Sequence, residues 1–130
     1  MIEANKSVHL DIVPDGTVPT ANYQAGTIFS ADEHNIMGML IKYAKGAETS
    51  LQVKVEASID SGVTYGQQTV ESASGGTITA SLAERTFAAS GNYWVVIQPI
   101  KADSIKISYK ATTGGTITGT VGIDAQTGWM

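Results

Sequence analysis

The chain has 130 residues and no cysteine, with 8 Lys and Arg against 12 Asp and Glu, for a formal net charge of −4. This length is typical of one compact domain that folds without disulfides or a metal ion. The missing cysteines exclude thiolate zinc sites, redox motifs and cysteine nucleophiles, and the scattered basic residues give no nucleic-acid footprint.

Charged residues make up 15% of the chain, whereas about 25% is ordinary for globular proteins. Gly, Thr, Ser, Val and Ile dominate instead. Helix surfaces are normally built from Glu, Lys, Arg and Gln, while β-branched residues fit a pleated sheet. The composition therefore predicts strands and turns with minimal helix.

Apolar residues alternate with polar ones over residues 8–12, which predicts a first strand closed by Pro14. The sequence from there to about residue 30 has little periodicity. We interpret residues 1–30 as an extended arm without a core of its own, which neighbouring subunits would hold in place. The first ten residues lack the basic start and apolar run of a signal peptide, so we expect no export by that route.

Two stretches are apolar on both faces, over residues 36–41 and 93–97. They are too short for typical helices, and we interpret them as central strands or as strands covered by a partner. No apolar run approaches the roughly 18 to 20 residues that span a bilayer. We expect no membrane partner.

Clean period-two alternation over Leu51–Ile59 predicts a strand with one buried face, and Asp60-Ser61-Gly62 then predicts a tight turn. A shorter strand is predicted over residues 78–82. Alternation over 105–111 and 117–123, with a glycine-rich link between them, predicts a hairpin.

These elements predict an all-β fold, a β-sandwich or jelly roll of about eight short antiparallel strands. We expect a single domain over residues 1–130. Its parts would be the N-terminal arm over 1–30, the sandwich core over 31–124 and a C-terminal tail over 125–130.

The polar residues form no recognisable catalytic motif. His9 and His34 lack the spacing of a metal pair and lie in no Ser-His-Asp or HExxH setting. Asp32-Glu33-His34 is the densest polar cluster, but neighbours in an extended chain point to opposite faces, which favours a solvated turn. For Asp60-Ser61 with Asp103, a calcium loop is the alternative to a turn, and the turn is favoured. We predict no catalytic, cofactor or metal site, and no enzyme.

The aromatic residues Trp94, Trp129 and Tyr65 allow two interpretations. Exposed aromatic rings can stack on sugars, which would indicate a carbohydrate-binding face. In a chain with two Trp residues and 7% aromatics, they are more often anchors of a core or an interface. We favour the second interpretation for Trp94 and Trp129.

Three segments together suggest a family: Ile41-Lys42-Tyr43-Ala44-Lys45-Gly46, the strand and turn from Leu51 to Tyr65, and Ile105–Thr112 before a glycine-rich link. The second segment contains the pattern V-x-V followed by S-x-D-x-G and an aromatic residue. Over about residues 36–124 the chain resembles small virion structural proteins of tailed bacteriophages.

This resemblance implies a non-enzymatic capsid decoration (cement) protein, often trimeric, seated on a lattice of major capsid protein. It implies a location on the capsid surface of the virion, after assembly in the host bacterial cytoplasm. Two alternatives remain, a carbohydrate-binding or host-adsorption module and a tail or neck component. We expect apolar and aromatic residues of the two ends and of the doubly apolar strands to make the contacts: Ile2, Val8, Tyr23, Met37, Met39, Trp94 and Trp129.

Overall fold

A computed structural model describes residues 8–31, 34–74, 77–82, 84–97, 100, 102–113 and 115–128. Within these residues there are twelve strands and no helix. The strands are β1 (Val8–Thr17), β2 (Gln24–Ala25), β3 (Phe29–Ser30), β4 (Ile36–Ala44), β5 (Ser50–Ser58), β6 (Gly66–Gln67), β7 (Thr69–Ser74), β8 (Thr77–Leu82), β9 (Glu84–Phe87), β10 (Gly91–Ile97), β11 (Ser104–Thr112) and β12 (Thr120–Gly128).

Ten of these strands form two antiparallel sheets that pack as a sandwich, which confirms the predicted fold class. The four-stranded sheet has the order β1-β12-β4-β10. The six-stranded sheet has the order β2-β11-β5-β6, with β3 also paired to β11 and β9 to β5. Strands β7 and β8 pair with each other as a separate hairpin.

The core lies between the two sheets because successive side chains of a strand point to opposite faces. In β4 every second residue is buried, and the same period appears along β5 and β11. The central strands contribute the following buried apolar residues: Met37, Met39, Ile41, Tyr43, Leu51, Val53, Val55, Ile105, Ile107, Tyr109, Val121, Ile123 and Ala125. The predicted strand over 51–59 is thus correct up to Ser58, whereas Ile59 is 83% exposed.

The predicted hairpin between residues 105–111 and 117–123 is wrong. β11 pairs with β5 over its full length, while β12 pairs with β4 and β1 in the other sheet. The glycine-rich link between β11 and β12 therefore crosses from one layer of the sandwich to the other.

The arm and tail boundaries also need correction. β1 pairs with β12, and Ile12 and Val13 are each 1% exposed within the core. A register shift between Asp11 and Val13 breaks the alternation of apolar and polar residues. For this reason the second half of the strand could not be predicted from the sequence pattern. Residues 125–128 are part of β12, not of a tail. Residues 1–7 and 129–130 lie outside the described part of the chain.

The two doubly apolar stretches differ in position. β4 lies between β12 and β10, in the interior of its sheet, while β10 lies at the sheet's end with β4 as its described partner. This places the outward-facing side chains of β10 at one margin of the molecule.

Candidate interface on the outer face of the four-stranded sheet

The outer face of the four-stranded sheet carries an uncharged patch along β4 and β10. Its members alternate with buried or partly buried residues of the same strands, and Trp94 is 63% exposed and Val96 44% exposed. Trp94 lies opposite Leu40, and Val96 lies opposite Gly38. We call this patch the Trp94 face; it consists of Ile36, Gly38, Leu40, Trp94 and Val96.

The indole of Trp94 lies directly over the backbone of Gly38. A Cβ atom at Gly38 would sit 2.6 Å from Cζ2 and 2.7 Å from Cη2 of the ring, so glycine leaves the space that the ring fills. A shallow groove of about 180 Å³ lies beside the ring, and its lining includes Ile36, Val96 and Gln126 of β12. The sheet thus presents a rigidly backed aromatic surface.

Charged side chains on the outer face of this sheet lie near its β1 margin. Lys42 Nζ lies 3.0 Å from Asp15 Oδ2 and 3.2 Å from Asp124 Oδ2, and His9 Nε2 lies 3.8 Å from Asp124 Oδ1. Hydrogen bonds to Asp15 and Asp124 raise the pKa of Lys42. The outer face is therefore apolar at its β10 margin and charged at its β1 margin.

The outer face of the six-stranded sheet has a different character. Lys54 and Lys110 lie over the ring of Tyr23, with Nζ 4.2 Å and 4.7 Å from its centroid, and the Tyr23 hydroxyl donates a 2.8 Å hydrogen bond to Glu84. Burial and the hydrogen bond to Glu84 raise the pKa of Tyr23. Here the aromatic ring is engaged by groups of its own chain.

The same pattern continues along this sheet. Lys106 Nζ lies 4.3 Å from the ring centroid of Tyr65, and Glu56 Oε1 lies 3.6 Å from Lys54 and 3.9 Å from Lys106. Because these charges and rings satisfy one another, the Trp94 face is the better candidate for an intermolecular contact.

A buried carboxylate, which the sequence analysis missed, connects two loops at one end of the sandwich by hydrogen bonds. Glu48 is fully buried and accepts hydrogen bonds from the Tyr43 hydroxyl at 2.6 Å and from the N–H groups of Gly46, Thr118 and Gly119 at 2.9, 3.1 and 2.9 Å. Burial alone would raise its pKa, but the hydrogen bonds outweigh burial and lower it to about 2. With its lone pairs occupied and no access to solvent, this group ties two loops together.

Of the four predicted interface residues whose side chains the structure describes, Trp94 alone is exposed. Met37 and Met39 are 0% and 2% exposed in the core, so their assignment to an interface is wrong. A run that is apolar on both faces does not reveal which residues point inward, and here the methionines do. Tyr23 is half-buried in the polar cluster described above, whereas Trp94 is exposed and stays a predicted contact residue.

The remaining predicted interface residues cannot be placed in the same way. Ile2 and Trp129 lie outside the described residues, and Val8 is described as part of β1 but not in its side chain.

Among the described residues, no group of three or more His, Asp and Glu side chains is arranged to hold a metal ion. His34 Nδ1 lies 2.6 Å from the hydroxyl of Thr127, while Asp32 and Glu33 lie outside the described residues. The described part of the chain also has no helix that is long and apolar enough to cross a membrane.

The segment after β5 forms a hydrogen-bonded turn. Asp60 Oδ1 accepts hydrogen bonds from the Ser58 hydroxyl at 2.6 Å and from the Thr64 N–H at 2.8 Å, and both lower the pKa of Asp60 to about 2. The carboxylate of Asp103 accepts from the N–H of Ser61 at 3.1 and 3.2 Å. These carboxylates thus act as acceptors for backbone and hydroxyl groups of the turn.

No protein-family model matches the chain, and no curated protein matches it in sequence. Its structure is similar to that of the SPBc2 prophage-derived protein YomS, with a TM-score of 0.52 and 14% identity, over 94% of this chain and 92% of that one. It is also similar to a structure from Bacillus endospore appendages, described as disulfide-linked pili, with a TM-score of 0.51 and 13% identity, over 96% and 90% of the two chains. A chain of the infectious bursal disease virus Gx strain gives a TM-score of 0.48 and 11% identity, over 95% and 32%. At 14% and 13% identity, the similarity to the first two structures shows a shared β-sandwich fold.

Proposed function

We propose that the chain is a non-enzymatic structural protein of a bacteriophage virion, and specifically a capsid decoration protein that bridges and stabilises major capsid protein subunits. The observation that carries the proposal is the Trp94 face, an uncharged and partly exposed surface on a rigid sheet. On the outer face of the six-stranded sheet, by contrast, the rings of Tyr23 and Tyr65 contact lysines of the same chain. A protein built this way works through its contacts.

Burial of Trp94 in a contact would supply binding energy for such a role. An exposed Trp side chain that becomes buried removes a large apolar area from water, at about 25 cal/mol per Å². Trp residues are also enriched among the interface positions that dominate binding energy. On a repeating lattice, several such contacts made together hold far better than one.

The similarity to a prophage-derived protein over most of both chains supports a phage context. The similarity to disulfide-linked pili supports an assembly role for this kind of sandwich. Because this chain has no cysteine, its own assembly would be non-covalent.

Capsid binding provides the test. Virions produced without this protein are incubated with the purified chain, and bound protein is measured by sedimentation together with DNA retention on heating. We expect the wild-type chain to bind and to protect the particles, and Trp94→Ala to weaken binding at least about tenfold. Ile59→Ala is the matched control, because Ile59 is 83% exposed but lies away from the Trp94 face.

Wild-type protein that does not bind these particles, or an equal loss in the Ile59 variant, would contradict the proposal. Immunogold labelling locates the bound protein, and we expect label over the capsid surface. Label confined to the tail or neck would assign the protein to those components instead.

One observation favours a second function, carbohydrate binding in host adsorption. The indole of Trp94 is backed by Gly38 and open beside a groove that includes the amide of Gln126, which suits stacking on a sugar ring with a hydrogen bond at its rim. Glycan-array binding by the wild-type chain that Trp94→Ala abolishes and Trp94→Phe retains would support it. A blank array would contradict it.

A further inference from the structure

We infer that the free edge of β10 pairs antiparallel with β10 of a second copy of this chain, joining two four-stranded sheets into one continuous sheet across a two-fold axis. The inference rests on the proposed assembly role and names a partner within it. It concerns the edge of the sheet, whereas the proposed capsid contact concerns its outer face.

The first observation is the regularity of β10. Its residues from Gly91 to Ile97 pair with β4 in one unbroken register, and no described strand pairs with its other edge. The N–H and C=O groups along that edge therefore lack a strand partner among the described residues. An apolar edge strand of seven residues in regular register is a template for another strand.

The second observation is the contrast with the opposite edge of the same sheet. β1 has register shifts on both sides of Val13, contains Pro14 and carries the charges of Asp11 and Asp15. Bulges, proline and charge are the features that keep edge strands from pairing. β10 has none of them: its sequence is Gly-Asn-Tyr-Trp-Val-Val-Ile. The β1 edge thus has features that prevent pairing with another strand, whereas the β10 edge has none of them.

The third observation is charge, which favours a second copy as the occupant. Each copy carries a net charge of −4, so contact between two copies is favoured where neither presents acidic side chains to the other. Contact through the β1 edges would bring Asp11 and Asp15 towards the same residues of the second copy. Contact through the β10 edges would not, because β10 contains no charged residue. The charged residue nearest to this strand in the cavity between the layers is Arg85 of β9, which lines that cavity together with Val95 and Ile97.

Edge pairing would also enlarge the Trp94 face. Antiparallel pairing places residues of one face opposite each other at about 5 Å, so the outward residues Asn92, Trp94 and Val96 of both copies lie together. The two Trp94 side chains then lie on one continuous surface, and a dimer would bind a capsid lattice through both of them.

The experiment measures the mass of the free protein in solution, with no capsid present, by light scattering over a range of concentrations. We expect the wild-type chain to be a dimer. In Asn92→Lys/Val96→Lys, like charges face each other across the edge, so we expect a monomer with an unchanged melting temperature. Gln126→Lys is the matched control, since this exposed residue is on the same outer face but on the interior strand β12, and it should remain a dimer.

Charge complementation makes the test specific. Asn92→Glu/Val96→Glu should also be a monomer, and mixing it with the Lys variant should restore a dimer of both chains. Because the chain has no cysteine, Val96→Cys/Asn92→Cys reports the pairing directly through oxidation to a covalent dimer.

A monomeric or trimeric wild-type chain would overturn the inference, because pairing of identical edges about a two-fold axis closes at two copies. So would a Lys variant that stays dimeric, or a mixture that stays monomeric. A chain that binds capsids without forming a dimer overturns this inference alone. A dimer that binds no capsid overturns the proposed function alone.

Discussion

The Tyr43 hydroxyl donates a 2.6 Å hydrogen bond to the Glu48 carboxylate at a place where Tyr43 is 4% exposed and Glu48 is 0% exposed. A buried carboxylate is tolerated when its oxygens are satisfied, and three backbone N–H groups complete the set. Because Gly46 follows β4 and Thr118 and Gly119 precede β12, one side chain connects the end of β4 with the start of β12.

This carboxylate predicts a pH dependence of stability. The pKa of Glu48 is about 2 in the folded chain against an ordinary value of 4.5, so the unfolded chain binds the proton more readily. The stabilisation is therefore fully present above pH 4.5 and is lost as the pH falls towards 2. We expect it to amount to roughly 3 kcal/mol, measured by urea unfolding between pH 6 and pH 2.5.

Glu48→Gln is the control for this pH dependence. The amide cannot accept all four hydrogen bonds, so we expect a loss of about 3 kcal/mol at pH 7 and a shallower fall of stability in acid. Asp60, whose pKa is also lowered to about 2, continues to titrate in this variant. An acid profile identical to that of the wild type would contradict the role assigned to Glu48.

Gly119 predicts a strong steric effect. A Cβ atom there would lie 2.7 Å from the carbonyl oxygen of Ala44 and closer still to the Glu48 carboxylate. We expect Gly119→Ala to reduce the free energy of unfolding by about 2 to 3 kcal/mol. Gly115→Ala is the matched control in the same link, because nothing lies within 4 Å of a Cβ atom at Gly115. Equal effects of the two substitutions would contradict this account.

Gly38 predicts a different outcome, since the obstacle is the far end of an exposed side chain. In Gly38→Ala the indole of Trp94 must move off the sheet, and the free energy of unfolding should change by less than about 1 kcal/mol. Tryptophan fluorescence, recorded in a Trp129→Phe background so that Trp94 alone reports, should shift. An unchanged spectrum would show that the ring does not rest on Gly38.

Tyr23 predicts that the six-stranded sheet's outer face contributes to stability and not to assembly. Tyr23→Phe removes the hydrogen bond to Glu84 and should reduce the free energy of unfolding by about 1 kcal/mol. Tyr23→Ala also removes the cation–π contacts with Lys54 and Lys110 and should reduce it further. Both variants should bind capsids as the wild type does, and weakened capsid binding in the folded Phe variant would contradict this division of roles.

The strands that could be predicted are those with one buried and one polar face. Leu51, Val53 and Val55 alternate with polar residues, and β5 lies where that pattern places it. The pairing of β11 could not be predicted, because adjacency in sequence says nothing about which layer the next strand joins. The core position of Met37 was equally hidden, since its neighbours along β4 are apolar too.

The site was predictable in part. Trp94 is exposed and its contact role stays a prediction. The support of its ring by Gly38 could not be predicted, because it depends on the pairing of β4 with β10. No local pattern indicated the hydrogen-bonding role of Glu48, because two of its donors, Thr118 and Gly119, lie some 70 residues further along the chain. Long-range hydrogen bonds of this kind leave no local spacing to recognise.

The position of β12 has a consequence for biosynthesis. It fills the gap between β1 and β4, and its pairings join Val8 to Thr127 across almost the whole sequence. The four-stranded sheet cannot form until β12 has left the ribosome, and such non-local pairing makes folding slow. We expect the nascent chain to lack the complete sheet, so that copies translated side by side pair through β10 only after β12 has emerged.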